Sequence, residues 1–251
     1  MKTTRLMMIL SLVLMLVVNV LANALPINGL TTGEISDRFP ILFVPAGYVF
    51  SIWGLIYLAL IAFAIYTVTP KGRQDEGVDA IAWWFVAANL FNTAWILLWH
   101  NLEFPLTLMA ILGLLISLIA IYLMLGVGKS QRPRVEKLLV ETPFSIYLGW
   151  ATVAVVANVT QVLYAVGWRG VPLSEAAWAV IMLLIAGVLG VLMILRHKEL
   201  AYPLVLTWAF VGIWVKQGQE PLVAVTALVL GILLAVLAVG NWGVRKLKAE
   251  S

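Results

Sequence analysis

The sequence contains no cysteine, and only 11% of its 251 residues are charged. The absence of cysteine excludes a disulfide framework, a thiolate nucleophile and any cysteine-ligated metal. A soluble domain carries roughly a quarter charged residues, because a water-exposed surface of large apolar side chains promotes aggregation. With 63% hydrophobic residues and a mean hydropathy of +1.03, the sequence predicts an integral membrane protein whose principal partner is the lipid bilayer.

Long apolar runs predict an all-α, polytopic membrane helix bundle with about eight transmembrane helices. A hydrocarbon core of about 30 Å is crossed by about 20 apolar residues in a helix. The runs are continuous rather than alternating, which favours helices over strands. The seventh run is the shortest, with 16 residues. The predicted spans are residues 6–25, 46–68, 80–99, 105–127, 143–166, 175–195, 200–215 and 221–242.

The basic residues predict the orientation of these spans. Lys and Arg accumulate in cytoplasmic loops, and cytoplasmic N- and C-termini leave only Arg38, Arg169 and Lys216 outside among 16 basic residues. The membrane topology therefore accounts for the net charge of +4, and nucleic acid is excluded as a partner. The expected location is the cell (plasma) membrane. The inside residues are Lys2, Arg5, Lys71, Arg73, Lys129, Arg132, Arg134, Lys137, Arg196, Lys198, Arg245, Lys246 and Lys248.

The first span allows two interpretations. Its apolar run ends in Ala22, Asn23 and Ala24, which is the small-x-small pattern of a signal-peptidase site. The run is longer than the usual apolar region of about 7 to 15 residues in a signal peptide, and this favours a retained first helix. Cleavage would leave seven spans.

The spans contain almost no ionisable side chains, which weighs against ion-coupled or proton-coupled transport. Their uncharged polar residues cluster in the third and fifth spans. Asn89 and Asn92 share one side of the third helix, while Trp150 and Asn158, eight residues apart, share one side of the fifth. Amides in membranes also bond neighbouring helices without any ligand, so each amide has a structural alternative to ligand binding.

Tryptophan is frequent, with 11 residues. Those near span ends fit the aromatic belt of membrane proteins. Four lie deeper, where the indole N–H needs a partner and one flat ring can face another. These pocket candidates are Trp53, Trp95, Trp150 and Trp208.

Three motifs carry a resemblance to a known family. Residues 45–57 read PAGYVFSIWGLIY, which resembles the signature P-x-G-W-V-F-x-x-W-x-x-L-Y that opens the second helix of the TspO/MBR family. Here Tyr48 replaces the signature's first Trp. The members of the TspO/MBR family are tryptophan-rich sensory proteins related to the mitochondrial translocator protein. Asn92 and Trp95 match the L-N-x-x-W of the family's third helix.

The third motif belongs to the fifth helix, where Trp150 and Asn158 match the family's W-x3-A-x3-L-N. Residues 1–168 therefore resemble the five-helix family core, and residues 169–251 add three further transmembrane helices. The family's Gln four residues before the third-helix Asn is Ala88 in this sequence.

The resemblance implies a pocket for a planar hydrophobic small molecule, such as a porphyrin, haem or a sterol-like ligand, under the loop between the first two helices. It also implies a sensory or regulatory role in which no cofactor is required. The loop, residues 26–44, exceeds about 12 to 15 residues, a length typical of functional covers, and it predicts a lid. The candidate ligand-binding residues are Trp53, Tyr57, Asn92, Trp95, Trp150 and Asn158.

Binding is favoured over catalysis, because the sequence offers no carboxylate pair, metal-ligand cluster or nucleophile beside a base. A transporter of a lipophilic metabolite is the main alternative, and an enzyme acting on a bound tetrapyrrole is a third hypothesis. Small residues such as Gly187 and Gly190 allow either a homodimer or close packing within the chain.

Overall fold

The computed structural model describes residues 3–168 and 172–250, with side chains as far as Gly243. Of the basic residues counted above, Lys2, Arg169 and the side chains of Arg245, Lys246 and Lys248 lie outside the described residues. The described helices are α1 Thr3–Ala24, α2 Thr32–Asp37, α3 Ile52–Val68, α4 Glu76–His100, α5 Phe104–Met124, α6 Arg134–Glu136, α7 Thr142–Ala165, α8 Glu175–His197, α9 Ala201–Lys216 and α10 Pro221–Glu250.

The described residues contain seven helices that are long and apolar enough to cross a membrane, so the predicted polytopic helical bundle is confirmed. They are α1, α3 with the 3-10 helix Gly47–Ser51 before it, α4, α5, α7 with α6 and the π-helix Lys137–Glu141 before it, α8 and α10. The remaining predicted span is α9, with 16 residues. A helix of that length rises about 24 Å, which makes α9 the shortest of the eight, as its sequence predicts.

The chain divides into two compact units. The first unit comprises Met1–Pro40 and Ile52–Ala151, and the second comprises Ile41–Ser51 and Thr152–Ser251. This division by compactness falls within α7, whereas the motif resemblance ends near residue 168. The long loop between α1 and α3 contributes to both units.

The first unit packs α1 against α4 and α3, and α4 against α5. Buried residues of α1 recur every three or four positions at Met8, Leu12, Met15 and Asn19, so one stripe of this apolar helix faces its neighbours. An aromatic core joins α3, α4 and α7, where the rings of Phe63, Phe85 and Phe144 lie 4.9 to 5.9 Å apart.

Ion pairs gather three segments at one end of the first unit. Arg132 bonds Asp75, Lys71 pairs with Glu136, and Arg5 reaches the start of α4. The predicted alternation of loops puts all three segments on the same side of the membrane, and these contacts require that they share a side. The assignment of this side to the cytoplasm stays a prediction from the distribution of basic residues.

The pH dependence of stability at this end follows from Asp75. Burial alone would raise the pKa of this carboxyl, but hydrogen bonds from Arg132 and Tyr66 outweigh burial and hold the pKa below its ordinary value. A carboxylate with a lowered folded-state pKa stabilises the fold at neutral pH, and this contribution is lost as the pH falls through that pKa. We expect Asp75→Asn to lower the free energy of unfolding by about 1–3 kcal/mol at pH 7.

The difference between wild type and Asp75→Asn should narrow as the pH falls below about 4, the ordinary pKa of an aspartate. Unfolding in detergent, followed from pH 3 to pH 7, measures both effects. Glu76→Gln is the matched control, because Glu76 is the exposed neighbour in the same turn. Parallel pH profiles for Asp75→Asn and wild type would contradict this assignment.

The second unit packs α10 against both α8 and α9. The two glycines considered above for helix contacts lie inside this packing. A Cβ on Gly187 would lie 3.3 Å from Leu230, and one on Gly190 would lie 2.8 Å from Leu234 and 2.9 Å from Leu206. These glycines therefore serve close packing of α8 within the chain.

Helix α9 holds the segment that enters α3. The backbone N–H of Ala46 donates to the carbonyl of Gly212 at 3.0 Å, and the indole N–H of Trp208 donates to the carbonyl of Val49 at 3.1 Å. The ring of Tyr48 meets Trp208 edge-on at 5.3 Å. Trp208, predicted from sequence as a pocket candidate, thus contacts the segment that precedes α3. Helix α9 therefore has a structural role in placing that segment.

Gly212 is required by this contact. A Cβ at Gly212 would overlap the buried side chain of Val49 and lie 3.0 Å from Pro45 Cβ. Overpacking of this kind costs about 1–3 kcal/mol, so we expect Gly212→Ala to lower the unfolding midpoint in detergent. Gly231→Ala is the control, because its Cβ would meet Phe210 at an ordinary 3.5 Å.

The overlap with Val49 can be tested directly in a double variant. The double variant Gly212→Ala/Val49→Ala should lose less stability than the sum of the two single losses, since Val49→Ala removes the side chain that the new Cβ would overlap. Strictly additive losses in the double variant would show that the overlap is not the cause.

Candidate functional site

Aromatic rings of α3 and α7 surround Trp53 in the first unit. Trp53 stacks on Tyr57 with ring centroids 5.6 Å apart and an interplanar angle of 28°. The rings of Tyr147 and Trp150 meet Trp53 at 5.9 and 6.1 Å, both near perpendicular. Trp53 and Tyr57 are half-buried, whereas Tyr147 and Trp150 are buried. We call these four residues the aromatic cluster; its outer pair offers accessible ring surface.

A chain of hydrogen bonds ties this cluster to α1 and α4. The hydroxyl of Tyr57 donates to Oδ1 of Asn19 at 2.9 Å, and Nδ2 of Asn19 donates to Oδ1 of Asn92 at 2.7 Å. Nδ2 of Asn92 then donates to the hydroxyl of Tyr147 at 2.7 Å. We call these four residues the amide chain. Since both asparagines are fully enclosed, these bonds fix the relative positions of four helices.

Two members of the amide chain, Asn19 and Tyr147, are missing from the sequence prediction. Asn19 is a polar residue within the first apolar span, and a polar group at membrane depth needs a partner inside the protein. The polar character of Asn19 was therefore a sequence signal for an internal partner. The structure places Asn19 on the buried stripe of α1. Tyr147 lies three residues before Trp150 on α7 and so shares its side of the helix.

Trp95 belongs to a different group of rings. It stacks on Trp99 at 5.4 Å, and Trp99 meets Phe104 edge-on at 5.5 Å. Phe39, from the long loop, packs edge-on against Phe104 at 4.9 Å. The indole nitrogen of Trp95 is buried with no hydrogen-bond partner among the described residues. Trp95 is therefore placed beneath the loop rather than in the aromatic cluster.

Polar contacts attach the first part of the long loop to the end of α4. Thr32 Oγ1 lies 3.0 Å from Nε2 of the fully buried His100, and the indole N–H of Trp99 donates to the carbonyl of Thr32 at 3.2 Å. Asn28 Nδ2 donates to the carbonyl of His100 at 2.9 Å. The portion of the loop in the first unit is thus an ordered cover over this end of α4.

Asn158, the remaining candidate, belongs to the second unit. It is buried on α7, eight residues beyond Trp150, about 12 Å along the helix axis. Of the six candidate residues, the structure brings Trp53, Tyr57 and Trp150 into direct contact and ties Asn92 to them through Tyr147. Trp95 and Asn158 lie in other surroundings.

The chemistry available in the aromatic cluster and the amide chain is that of ring faces, amides and hydroxyl groups. These groups orient a bound molecule by stacking and by hydrogen bonding. Within the described residues, no group of three or more His, Asp or Glu side chains lies close enough to hold a metal ion.

Comparison with known proteins gives a match to a family. A family model described as TSPO-like protein matches residues 5–240, and the match runs through all eight long helices, including the last three. No curated protein and no solved structure matches the chain.

Proposed function

Because this chain belongs to the family of TSPO-like proteins, we propose that it binds a planar hydrophobic ligand, a tetrapyrrole or a sterol-like molecule, in a sensory or regulatory role. The seven apolar helices of membrane-spanning length among its described residues, together with its family, make it a multi-pass membrane protein. The observation that carries the proposal is the half-buried stacked pair Trp53 and Tyr57, backed by two buried rings.

Flat rings held in place suit a flat ligand. Stacked or edge-on aromatic pairs contribute about 0.5–1.5 kcal/mol beyond the area they bury, and a tetrapyrrole presents a large π face to the half-buried indole of Trp53. The amide chain holds Tyr57 and Tyr147 on separate helices before any ligand arrives. Binding then orders few side chains, which lowers its entropic cost.

The roles of the candidate residues differ within this proposal. Trp53 and Tyr57 contact the ligand, with Trp150 behind them. Asn92 positions the rings, because both ends of its amide bond to protein groups. Trp95 supports the cover formed by the loop. A direct role for Asn158 stays a prediction from the motif alone.

The test is a titration of the purified, full-length protein in detergent with protoporphyrin IX, followed by porphyrin absorbance and quenching of tryptophan fluorescence. We expect saturable binding, and a three- to tenfold weaker affinity in Trp53→Leu, which corresponds to about 0.5–1.5 kcal/mol of lost stacking. Trp83→Leu is the matched control, since Trp83 is 62% exposed on α4 of the same unit. Its affinity should stay within twofold of wild type.

Equal affinities of Trp53→Leu and Trp83→Leu would contradict ligand binding at the aromatic cluster. Non-saturable binding together with protein-dependent flux of the porphyrin across vesicles would instead favour the transporter alternative. Thermal unfolding of each variant is measured in parallel, so that a loss of fold is not mistaken for a loss of binding.

A further inference from the structure

A second candidate binding site lies in the second unit, at the neighbouring ends of α7 and α8. A cleft of about 350 Å³, partly open to its surroundings, lies between the last turn of α7 and the first turns of α8. Residues 41–43 of the long loop form one apolar wall. The other walls include Tyr164, Trp168 and Trp178, and among the described lining residues Glu175 is the one with a carboxylate.

Two indole rings form a corner of this cleft. The rings of Trp168 and Trp178 lie 4.9 Å apart with an interplanar angle of 73°. The indole N–H of Trp178 donates to Thr160 Oγ1 at 3.3 Å, and Thr160 Oγ1 donates to the carbonyl of Val156 at 3.1 Å. The polar atom of Trp178 is thus engaged by the protein, and the ring surface is what this side of the cleft offers.

Glu175 brings a negative charge to this aromatic corner. It is exposed in the first turn of α8, and among the described residues it forms no ion pair. The helix does not depend on Glu175 for its cap, because Ser174 Oγ accepts from the backbone N–H of Ala177 at 3.1 Å. The helix dipole stabilises an acidic residue in the first turn of a helix, and tryptophan is common at the membrane interface. Neither effect accounts for a carboxylate that lines a cleft together with two perpendicular indole rings.

We propose that this cleft binds a substituted ammonium group. The carboxylate of Glu175 supplies the counter-charge, and the faces of Trp168 and Trp178 supply cation–π attraction, the combination by which aromatic cages recognise quaternary ammonium ligands. The apolar wall at residues 41–43 accepts the hydrophobic part of the same molecule.

The charge of its lining separates this site from the one proposed above. The cleft has a carboxylate beside its indole rings, whereas the aromatic cluster consists of uncharged rings. The cation has two sources, the headgroup of a choline lipid or a free amphiphilic amine. The proposal does not depend on ligand binding at the aromatic cluster.

The first experiment uses the full-length protein in uncharged maltoside detergent and titrates it with benzyltrimethylammonium. Neopentylbenzene, the uncharged molecule of the same shape, is the ligand control. We expect saturable binding of the cation at least fivefold tighter than that of the neutral analogue, and at least a fivefold loss in Glu175→Gln. Glu220→Gln should bind as wild type does, since Glu220 is an exposed acid in the loop before α10.

The aromatic corner is tested by Trp178→Leu, with Trp214→Leu as control, because Trp214 is exposed and does not line the cleft. Only the first should weaken binding of the cation. Glu175→Gln keeps the proposal testable even if Trp178→Leu fails to fold, since Glu175 is exposed. Equal binding of cation and neutral analogue, or wild-type affinity in Glu175→Gln, would overturn the proposal.

A second experiment distinguishes the two sources of the cation. The titration is repeated in nanodiscs of phosphatidylcholine and of phosphatidylglycerol. Loss of benzyltrimethylammonium binding in phosphatidylcholine alone identifies the choline headgroup as the occupant. Binding in both bilayers, still sensitive to Glu175→Gln, identifies a free amine. Protoporphyrin binding and its response to Trp53→Leu should be the same in Glu175→Gln as in wild type, so the two proposals fail separately.

Discussion

Replacement of Arg5 by methionine is expected to destabilise the protein by about 2–4 kcal/mol. The side chain of Arg5 is enclosed, with 1% of the residue exposed. Its guanidinium donates to the carbonyls of Thr67 and Gly72 and, at 2.8 Å, to the carboxylate of Asp79. Methionine has a similar length but no donor, so Arg5→Met removes every one of these bonds. The free energy of unfolding in detergent measures the loss.

Arg73→Met is the matched control for Arg5→Met. Arg73 lies in the same loop region, its side chain is exposed, and its replacement removes the same charge from the same end of the unit. A surface substitution of this kind should change the free energy of unfolding by no more than about 0.5 kcal/mol. Similar losses in the two variants would mean that net charge, rather than the bonds of Arg5, determines stability here.

A double-mutant cycle isolates the ion pair within this set of bonds. Asp79→Asn removes the negative partner, and the cycle with Arg5→Met should show a coupling of about 1–3 kcal/mol. Arg5→Lys is expected to recover only part of the stability, because an ammonium lacks the planar fork that reaches several acceptors at once. Additive losses in the cycle would assign the effect to the bonds with the backbone carbonyls of Thr67, Gly72 and Arg73.

Replacement of Asn92 by alanine is the second large expected effect, with a loss of about 1–3 kcal/mol. Asn92→Ala removes the acceptor of Asn19 Nδ2 and the donor to the hydroxyl of Tyr147, and that hydroxyl is fully enclosed. Hydrogen bonds between membrane helices average about 0.6 kcal/mol, so the larger loss comes from leaving buried polar groups unpaired. Thermal unfolding in detergent measures the change.

Tyr147→Phe tests whether the unpaired hydroxyl carries the effect. It removes the hydroxyl and keeps the ring beside Trp53, so it should cost less than Asn92→Ala. The two changes combined should cost less than their sum, because the second removes the group that the first leaves unpaired. Thr226→Ala is the control, because the bond from the Thr226 hydroxyl to the Leu222 carbonyl is exposed and lies within one helix. A loss in Thr226→Ala equal to that in Asn92→Ala would contradict this account.

The contacts of the long loop were predicted from the sequence only in part. Its length predicted a lid, and Phe39 of the loop packs against Phe104. The anchoring residues His100 and Thr32 carry no such signal, because a histidine at a helix end and a threonine in a loop are common in any sequence. Their contact joins residues 68 positions apart, and only the folded chain brings them together.

The partner of each deep tryptophan also could not be predicted from the sequence. Trp53, Trp95, Trp150 and Trp208 share the same depth pattern, yet they have different partners. Trp53 and Trp150 meet each other, Trp95 stacks on Trp99, and Trp208 bonds the carbonyl of Val49. The depth of a residue follows from its position within its own span, but the neighbour that it meets depends on how that span is rotated.

The sequence by itself determined that the chain is a polytopic helical membrane protein, because about 20 apolar residues in a row must form a helix in lipid. Its motifs also indicated the family. It also determined which residues are polar at membrane depth. Only the tertiary structure decided that Asn19 and Tyr147 complete the amide chain, that Arg5 is enclosed, and that α9 holds the segment before α3. Hydropathy is a property of each span alone, whereas these contacts depend on the rotation and pairing of helices that are distant in sequence.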